Sequence, residues 1–136
     1  MSVAVLVVDD SLVVRKQVER CLVAAGYIVL GAADGAEALE RLAEHPEIRL
    51  VICDVNMPVM DGMQLLEHVS RAALPPPMVM LTTDGLPQLV ARGRALGVKA
   101  WLMKPLHPEL LLPLVRKIAG DPAATHLSGT TLSKSA

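Results

Sequence analysis

Residues 49–62, Arg-Leu-Val-Ile-Cys-Asp-Val-Asn-Met-Pro-Val-Met-Asp-Gly, hold an apolar run that stops abruptly at a carboxylate, Asp54. A run without polar alternation, such as 50–53, is the pattern of a strand buried on both faces, as in a parallel sheet covered by helices. Asp54 then stands at the carboxyl end of that strand. Ligands of open parallel sheets bind outside these ends, so a carboxylate there is placed for chemistry and not for packing. Pro58 biases Met57 away from helical angles, and Asp61-Gly62 supplies turn chemistry, so an ordered loop follows. Taken alone, Asp54 is as readily a mere strand terminator or cap of the next helix as a group placed for chemistry. The rest of the chain decides between these readings.

Upstream, residues 3–8 form another fully apolar strand, and Asp9-Asp10-Ser11 opens a helix that runs to Gly26, with Ser11 suited to the N-cap and Gly26 to the stop. Residues 27–30 read as a short second strand. Asp34-Gly35 leads into a helix over 36–45 with Ala38, Leu39 and Leu42 as its apolar stripe, closed by Pro46. Downstream of Asp54, a helix spans 63–72, and Pro75-Pro76-Pro77 makes a stiff connector. Residues 78–81 give a fourth strand that ends in Thr82-Thr83-Asp84-Gly85, and a fourth helix spans 86–96, ended by Gly97. A fifth strand over 99–103 ends in Lys104-Pro105, and Pro108 starts a fifth helix that continues to about Ala119. Strand and helix alternate at roughly 20 to 27 residues, the length of βαβ units, which implies an α/β fold with helices on both faces of a parallel sheet. Residues 121–136 are small, polar and aperiodic, the composition of a mobile tail.

With 136 residues there is room for one core, so residues 1–120 are expected to form a single domain followed by that tail. Apolar residues make up 52% of the chain and charged ones 20%, and the net charge of -1 offers no field for nucleic acid or an anionic membrane. Phe is absent, and Trp101 and Tyr27 are the only aromatics, so base-stacking platforms are missing as well. Cys21 and Cys53 lack metal-ligand spacing and read as packed, reduced thiols of a cytoplasmic protein. The apolar stretch 3–8 is too short for a signal peptide or membrane span. His45, His68, His107 and His126 are scattered without paired spacing and read as surface residues.

Four of the five strands therefore end in a charged or hydroxyl group: Asp9 and Asp10, Asp54, Thr82, and Lys104. Parallel strands bring those ends to one edge. Considered singly, Asp9 and Asp10 suit helix capping, Thr82 a strand end, and Lys104 a solvated surface. Three carboxylates sharing one cleft repel unless a cation neutralises them, and Mg²⁺ with retained waters suits a site of few carboxylates. Lys104 and Thr82 are suited to phosphoryl oxygens, and an aspartate in such a setting is a nucleophile for phosphoryl transfer.

On the Asp9-Asp10-Ser11 opening, the segment from Asp54 through Met57-Pro58 to Met60-Asp61-Gly62, Thr82 and the Lys104-Pro105 pair, the chain resembles a response-regulator receiver domain of the stand-alone chemotaxis type, over residues 3 to about 119. The resemblance implies a flavodoxin-like, doubly wound fold with five parallel strands in the order 2-1-3-4-5 and five helices. It implies that Asp54 is the phospho-acceptor, that Asp9 and Asp10, with Asp54 and the backbone carbonyl of Asn56, hold Mg²⁺, and that Thr82 and Lys104 hold the phosphoryl oxygens. It implies a cis bond before Pro105. A histidine kinase or phosphotransfer protein would be the donor, and a downstream protein would be read through helix 4, strand 5 and helix 5. Catalysis would extend only to the chain's own phosphorylation and dephosphorylation. Three residues depart from the pattern. Trp101 replaces the usual Tyr or Phe of the switch position, Thr83 stands where a very small residue is usual, and Pro113 lies inside the fifth helix, where it removes a hydrogen bond and is expected to kink it. An aspartate-nucleophile phosphatase is the alternative reading, but it needs a second carboxylate two residues after the nucleophile, where Asn56 stands. A receiver-like adaptor that works without phosphorylation has no physical need of the acidic set and Lys104.

Overall fold

In a computed structural model that describes residues 3–83 and 85–122, strand and helix alternate throughout: β1 (Ala4–Val8), α1 (Leu12–Ala24), β2 (Ile28–Ala32), α2 (Gly35–Glu44), β3 (Ile48–Asp54), α3 (Gly62–Ser70), β4 (Met78–Thr82), α4 (Pro87–Ala95), β5 (Ala100–Met103) and α5 (Pro108–Ala119). All strand pairings are parallel, and the order is β2-β1-β3-β4-β5. The three central strands are the apolar runs recognised in the sequence, and both of their faces are covered. Val5, Val7, Leu50, Ile52, Val79 and Leu81 pack toward α1 and α5 with Leu22, Leu111 and Val115. Leu6, Val8, Val51, Cys53 and Met80 pack on the other face with Ala38 of α2 and Leu65 and Leu66 of α3. Alternation along β3 sends neighbouring side chains to opposite cores, which is why no residue from Leu50 to Cys53 can be polar.

Helix starts are set by side-chain caps. Ser11 caps α1 through Val14 N–H, Asp34 caps α2 through Glu37 N–H, and Asp61 forms a reciprocal capping box with Gln64 on α3. Since Ser11 and Asp61 take the capping roles, Asp9, Asp10 and Asp54 are released from that explanation. The second strand is displaced relative to the sequence reading, covering 28–32 in place of 27–30. Tyr27 belongs instead to the turn: its N–H donates to the Leu22 carbonyl, and its hydroxyl donates to the Gly120 carbonyl at 2.6 Å. Gly31 and Ala32 continue the ladder opposite Val7 and Val8. Helix α5 runs through Pro113 as one uninterrupted element, with the proline on its exposed side. Of the expected tail, Pro122 is buried beside Gly26; residues 123–136, His126 among them, lie outside the described residues, as does Asp84.

Candidate functional site

Each side chain singled out by the strand-end pattern arrives at the carboxyl edge of the sheet. Asp9 follows β1 directly, Asp54 closes β3, Thr82 closes β4, and Lys104 follows β5. Because the order places β1 and β3 side by side at the centre, Asp9 and Asp54 come from adjacent strand ends. Asp9 is fully buried, Asp54 and Thr82 are buried, and Asp10 reaches solvent. Carboxylate oxygens of Asp9, Asp10 and Asp54 all lie within 4.8 Å of one another. From the far side Lys104 Nζ bridges the two buried acids, 2.9 Å from Asp9 Oδ2 and 3.2 Å from Asp54 Oδ1. The backbone fixes that reach, since Lys104 N–H donates to the Thr82 carbonyl at 2.8 Å. The Lys104-Pro105 bond is cis.

The electrostatics follow from that crowding. Burial, reinforced by the charge of Asp9, pushes the Asp54 carboxyl above the ordinary carboxylate value, and Lys104 only partly offsets this. For Lys104, burial acts downward, but its contacts with Asp9 and Asp54 outweigh it and hold the ammonium above the ordinary lysine value. The Cys53 thiol, buried behind Asp54, is pushed far upward by burial and by the neighbouring carboxylates, so it is inert. Asp9 Oδ1 accepts from Ser11 N–H at 2.9 Å, whereas the buried Oδ2 faces the Lys104 ammonium at 2.9 Å and meets no backbone donor among the described residues. Three carboxylates this close, two of them buried and sharing a single ammonium, carry an excess of negative charge that suits a hard divalent cation.

The loop after Asp54 is tightly built. A Cβ on Gly62 would stand 2.3 Å from the Asp54 carbonyl oxygen and 2.7 Å from Met80 Cε, so only glycine lets α3 start this close behind the acid. Met60 N–H donates to the Pro58 carbonyl at 2.7 Å across Val59, whose φ of 67° is positive: a γ-turn with a β-branched residue at its centre. Asn56 and Thr83 are exposed at the mouth of the site. Trp101 on β5 is half-buried, and its Nε1 is buried without a hydrogen-bond partner among the described residues. The ring packs over Gly93 of α4, where a Cβ would stand 2.6 Å from Trp101 Cζ2.

The sequence reading did not single out Arg15. Its Nη1 donates to the backbone carbonyl of Asp9, although it lies one turn inside α1. No motif marks it; only its spacing from Asp9, which returns a helical side chain toward the end of β1, offers a signal. Of the described histidines, His45, His68 and His107, none belongs to the acidic cluster; His45 pairs with Glu47 and His107 with Glu109 at the surface.

Fold and site together define a doubly wound α/β domain whose central carboxyl edge carries a lysine-braced acidic cluster. Residues 5–116 match the family model of the response regulator receiver domain, and the chain belongs to that family. The chemotaxis protein CheY of Treponema pallidum is 35% identical over 116 residues, covering 84% of this chain and 81% of that protein. Among solved structures, chemotaxis response regulator CheY4 of Vibrio cholerae superposes with a TM-score of 0.78 at 40% identity, covering 87% of this chain and 99% of that one. A CheX–CheY–BeF₃–Mg²⁺ complex from Borrelia burgdorferi superposes with a TM-score of 0.80 at 32% identity, covering 85% and 87%. These relatives make the chain a receiver of the CheY type.

Proposed function

We propose that this receiver is the phosphorylation-controlled switch of a two-component system, in which Asp54 accepts a phosphoryl group from a phosphohistidine on a histidine kinase or phosphotransfer protein. The observation that carries this reading is the setting of Asp54: buried at the end of a central strand, 3.2 Å from Lys104 and within 4.8 Å of the acidic pair. A carboxylate oxygen of Asp54 attacks phosphorus, the P–N bond of the donor breaks, and its electrons leave with the imidazole, which takes up a proton from solvent. Lys104 stays charged through the physiological range, because its pKa is held above the ordinary value, and it meets the charge on the phosphoryl oxygens. Thr82, buried at the end of β4, supplies its hydroxyl to another of those oxygens. Asp9, Asp10 and Asp54, with the backbone carbonyl of Asn56, would hold Mg²⁺, which would supply charge neutralisation at the phosphoryl group. The three carboxylates gathered within 4.8 Å against one ammonium support that assignment, as do the BeF₃ and Mg²⁺ present in the Borrelia burgdorferi complex. Water attack at phosphorus then returns Asp54 to its free form, and Asn56 stands where an aspartate-nucleophile phosphatase needs its general acid, two residues after the nucleophile.

The phosphorylated form presents α4, β5 and α5 to a downstream protein, a surface that carries exposed Leu86, Met103 and Leu110. No helix among the described residues is long and apolar enough to cross a membrane, and the net charge is -1; these fit a cytoplasmic partner of proteins and not of nucleic acid or lipid. Intact-mass spectrometry after incubation with acetyl phosphate tests the proposal. Wild type with Mg²⁺ gains one phosphoryl mass, and the gain disappears in EDTA or in Asp54→Asn. An unmodified wild-type chain would make this an adaptor, and sustained turnover of a foreign phosphomonoester would make it a phosphatase.

A further inference from the structure

Asp9 and Asp10 reach the site from the end of β1, and the peptide that joins them has to keep one orientation for both carboxylates to meet Asp54. The structure holds the backbone on either side of that peptide. Asp9 N–H donates to the Ala32 carbonyl at the end of β2 at 3.0 Å, and Ser11 N–H closes back onto Asp9 Oδ1 at 2.9 Å. The remaining freedom is rotation of the Asp9 carbonyl, which turns the Asp9–Asp10 peptide plane and moves the Asp10 carboxylate with it. Arg15 removes that freedom, because its Nη1 donates to the Asp9 carbonyl oxygen. The side chain runs to this contact along an open lane beside Gly31, where a Cβ would stand 3.6 Å from Arg15 Cδ. Its guanidinium bond falls on neutral backbone, and the carboxylates are left to the cation.

We infer that Arg15 is a positioning residue for the metal cluster: it locks the Asp9–Asp10 peptide so that the acidic pair presents the geometry that Mg²⁺ demands. The inference rests on the Mg²⁺ assignment above and adds to it the group that aligns the ligands. Partners that orient ligands without touching the ion commonly account for roughly 10- to 100-fold in metal affinity. A positive charge near a cation site, acting only as a charge, opposes binding, so removing it strengthens the site. Positioning and bare charge therefore predict opposite signs.

Isothermal titration of the full chain with Mg²⁺ and, separately, Ca²⁺ reads the difference, in wild type, Asp10→Asn, Arg15→Met and Arg15→Lys. Arg15→Met keeps the stem that packs beside Gly31 and loses the donor. It is expected to weaken Mg²⁺ binding by roughly 10- to 100-fold. The loss for Ca²⁺ is smaller, because Ca²⁺ accepts irregular geometry whereas Mg²⁺ requires a near-ideal octahedron. Arg15→Lys keeps the charge on a shorter stem, so a several-fold loss of Mg²⁺ affinity is expected with the fold unperturbed by far-ultraviolet circular dichroism. Mg²⁺ affinity that is unchanged or stronger in both folded variants overturns the inference, as does an equal loss for both ions. Wild type that binds no Mg²⁺ overturns the cluster assignment itself, and this inference with it. Wild type that binds while Asp10→Asn does not, with the Arg15 variants indistinguishable from wild type, overturns the role of Arg15 alone.

Discussion

Lys104 separates two buried carboxylates that would otherwise face each other with no counter-charge, and this makes it the residue whose loss the metal-free fold should feel most. Removing one partner of a buried ion pair typically costs about 3 to 5 kcal/mol, and because Lys104 keeps 18% of its side-chain surface the lower figure applies, about 3 kcal/mol for Lys104→Ala in EDTA. Adding Asp54→Asn to that variant should return part of the loss, since one of the two stranded charges is then gone. The same reasoning fixes a pH dependence. The folded-state pKa of Asp54 is raised, chiefly by burial and then by Asp9, so the stability it contributes is complete below the ordinary carboxylate range and is lost as pH rises through the raised value. Asp54→Asn should accordingly melt above wild type at neutral pH without metal, and the gap should close in acid. A gap that widens in acid would contradict the assignment of burial and Asp9 as the dominant influences. The five ionisable or hydroxyl side chains of the site were legible in the sequence because each ends or follows a strand, and the parallel topology brings those ends together. Arg15 was not legible, because its contact is with a backbone carbonyl and leaves no trace in residue chemistry.

Among the elements, the loop from β3 to α3 and the pair α4–β5 carry the tightest local geometry. Val59 is 80% exposed, yet it holds a positive φ that β-branched residues resist. Its side chain has little packing to compensate, so Val59→Asn should relieve strain worth about 1 kcal/mol and raise Tm by about 4 °C. A lower Tm would mean that the turn depends on the valine itself. Gly93 shows the opposite case, a helix interior that tolerates glycine because an indole needs the space. Gly93→Ala should cost about 1 to 3 kcal/mol through overpacking against Trp101, despite alanine's better helix propensity. In a double-mutant cycle with Trp101→Phe the cost should shrink, and strict additivity would show that the ring is not the obstacle. Sequence reading found every element, because the apolar runs, the cap Ser11 and the turn signals Asp34-Gly35 and Asp61-Gly62 are local; that Asp34 and Asp61 are themselves caps came only with the structure. It misplaced β2, because the turn that claims Tyr27 is fixed by hydrogen bonds to Leu22 and to the distant Gly120. The Gly93–Trp101 packing is likewise tertiary and has no local signature.

At the scale of the whole molecule, two apolar cores hold a five-stranded sheet whose functional edge begins where the apolar runs end. The parallel sheet was readable from strands that are apolar on both faces, while the order of the strands came only from the family resemblance, since periodicity does not say which strand lies beside which. That order is what makes Asp9 and Asp54 neighbours and leaves Lys104 to reach them from β5. The central claim is that this architecture makes Asp54 the single acceptor of a phosphoryl group. Reductive trapping tests it most directly: the chain is treated with acetyl phosphate and Mg²⁺, then with borohydride, which converts an aspartyl phosphate to homoserine, and is mapped by peptide mass spectrometry. The account predicts homoserine at position 54 and at no other aspartate, with none formed when Mg²⁺ is withheld. Homoserine at Asp9, Asp10 or Asp61, or its absence everywhere in a chain shown to bind Mg²⁺, would contradict it.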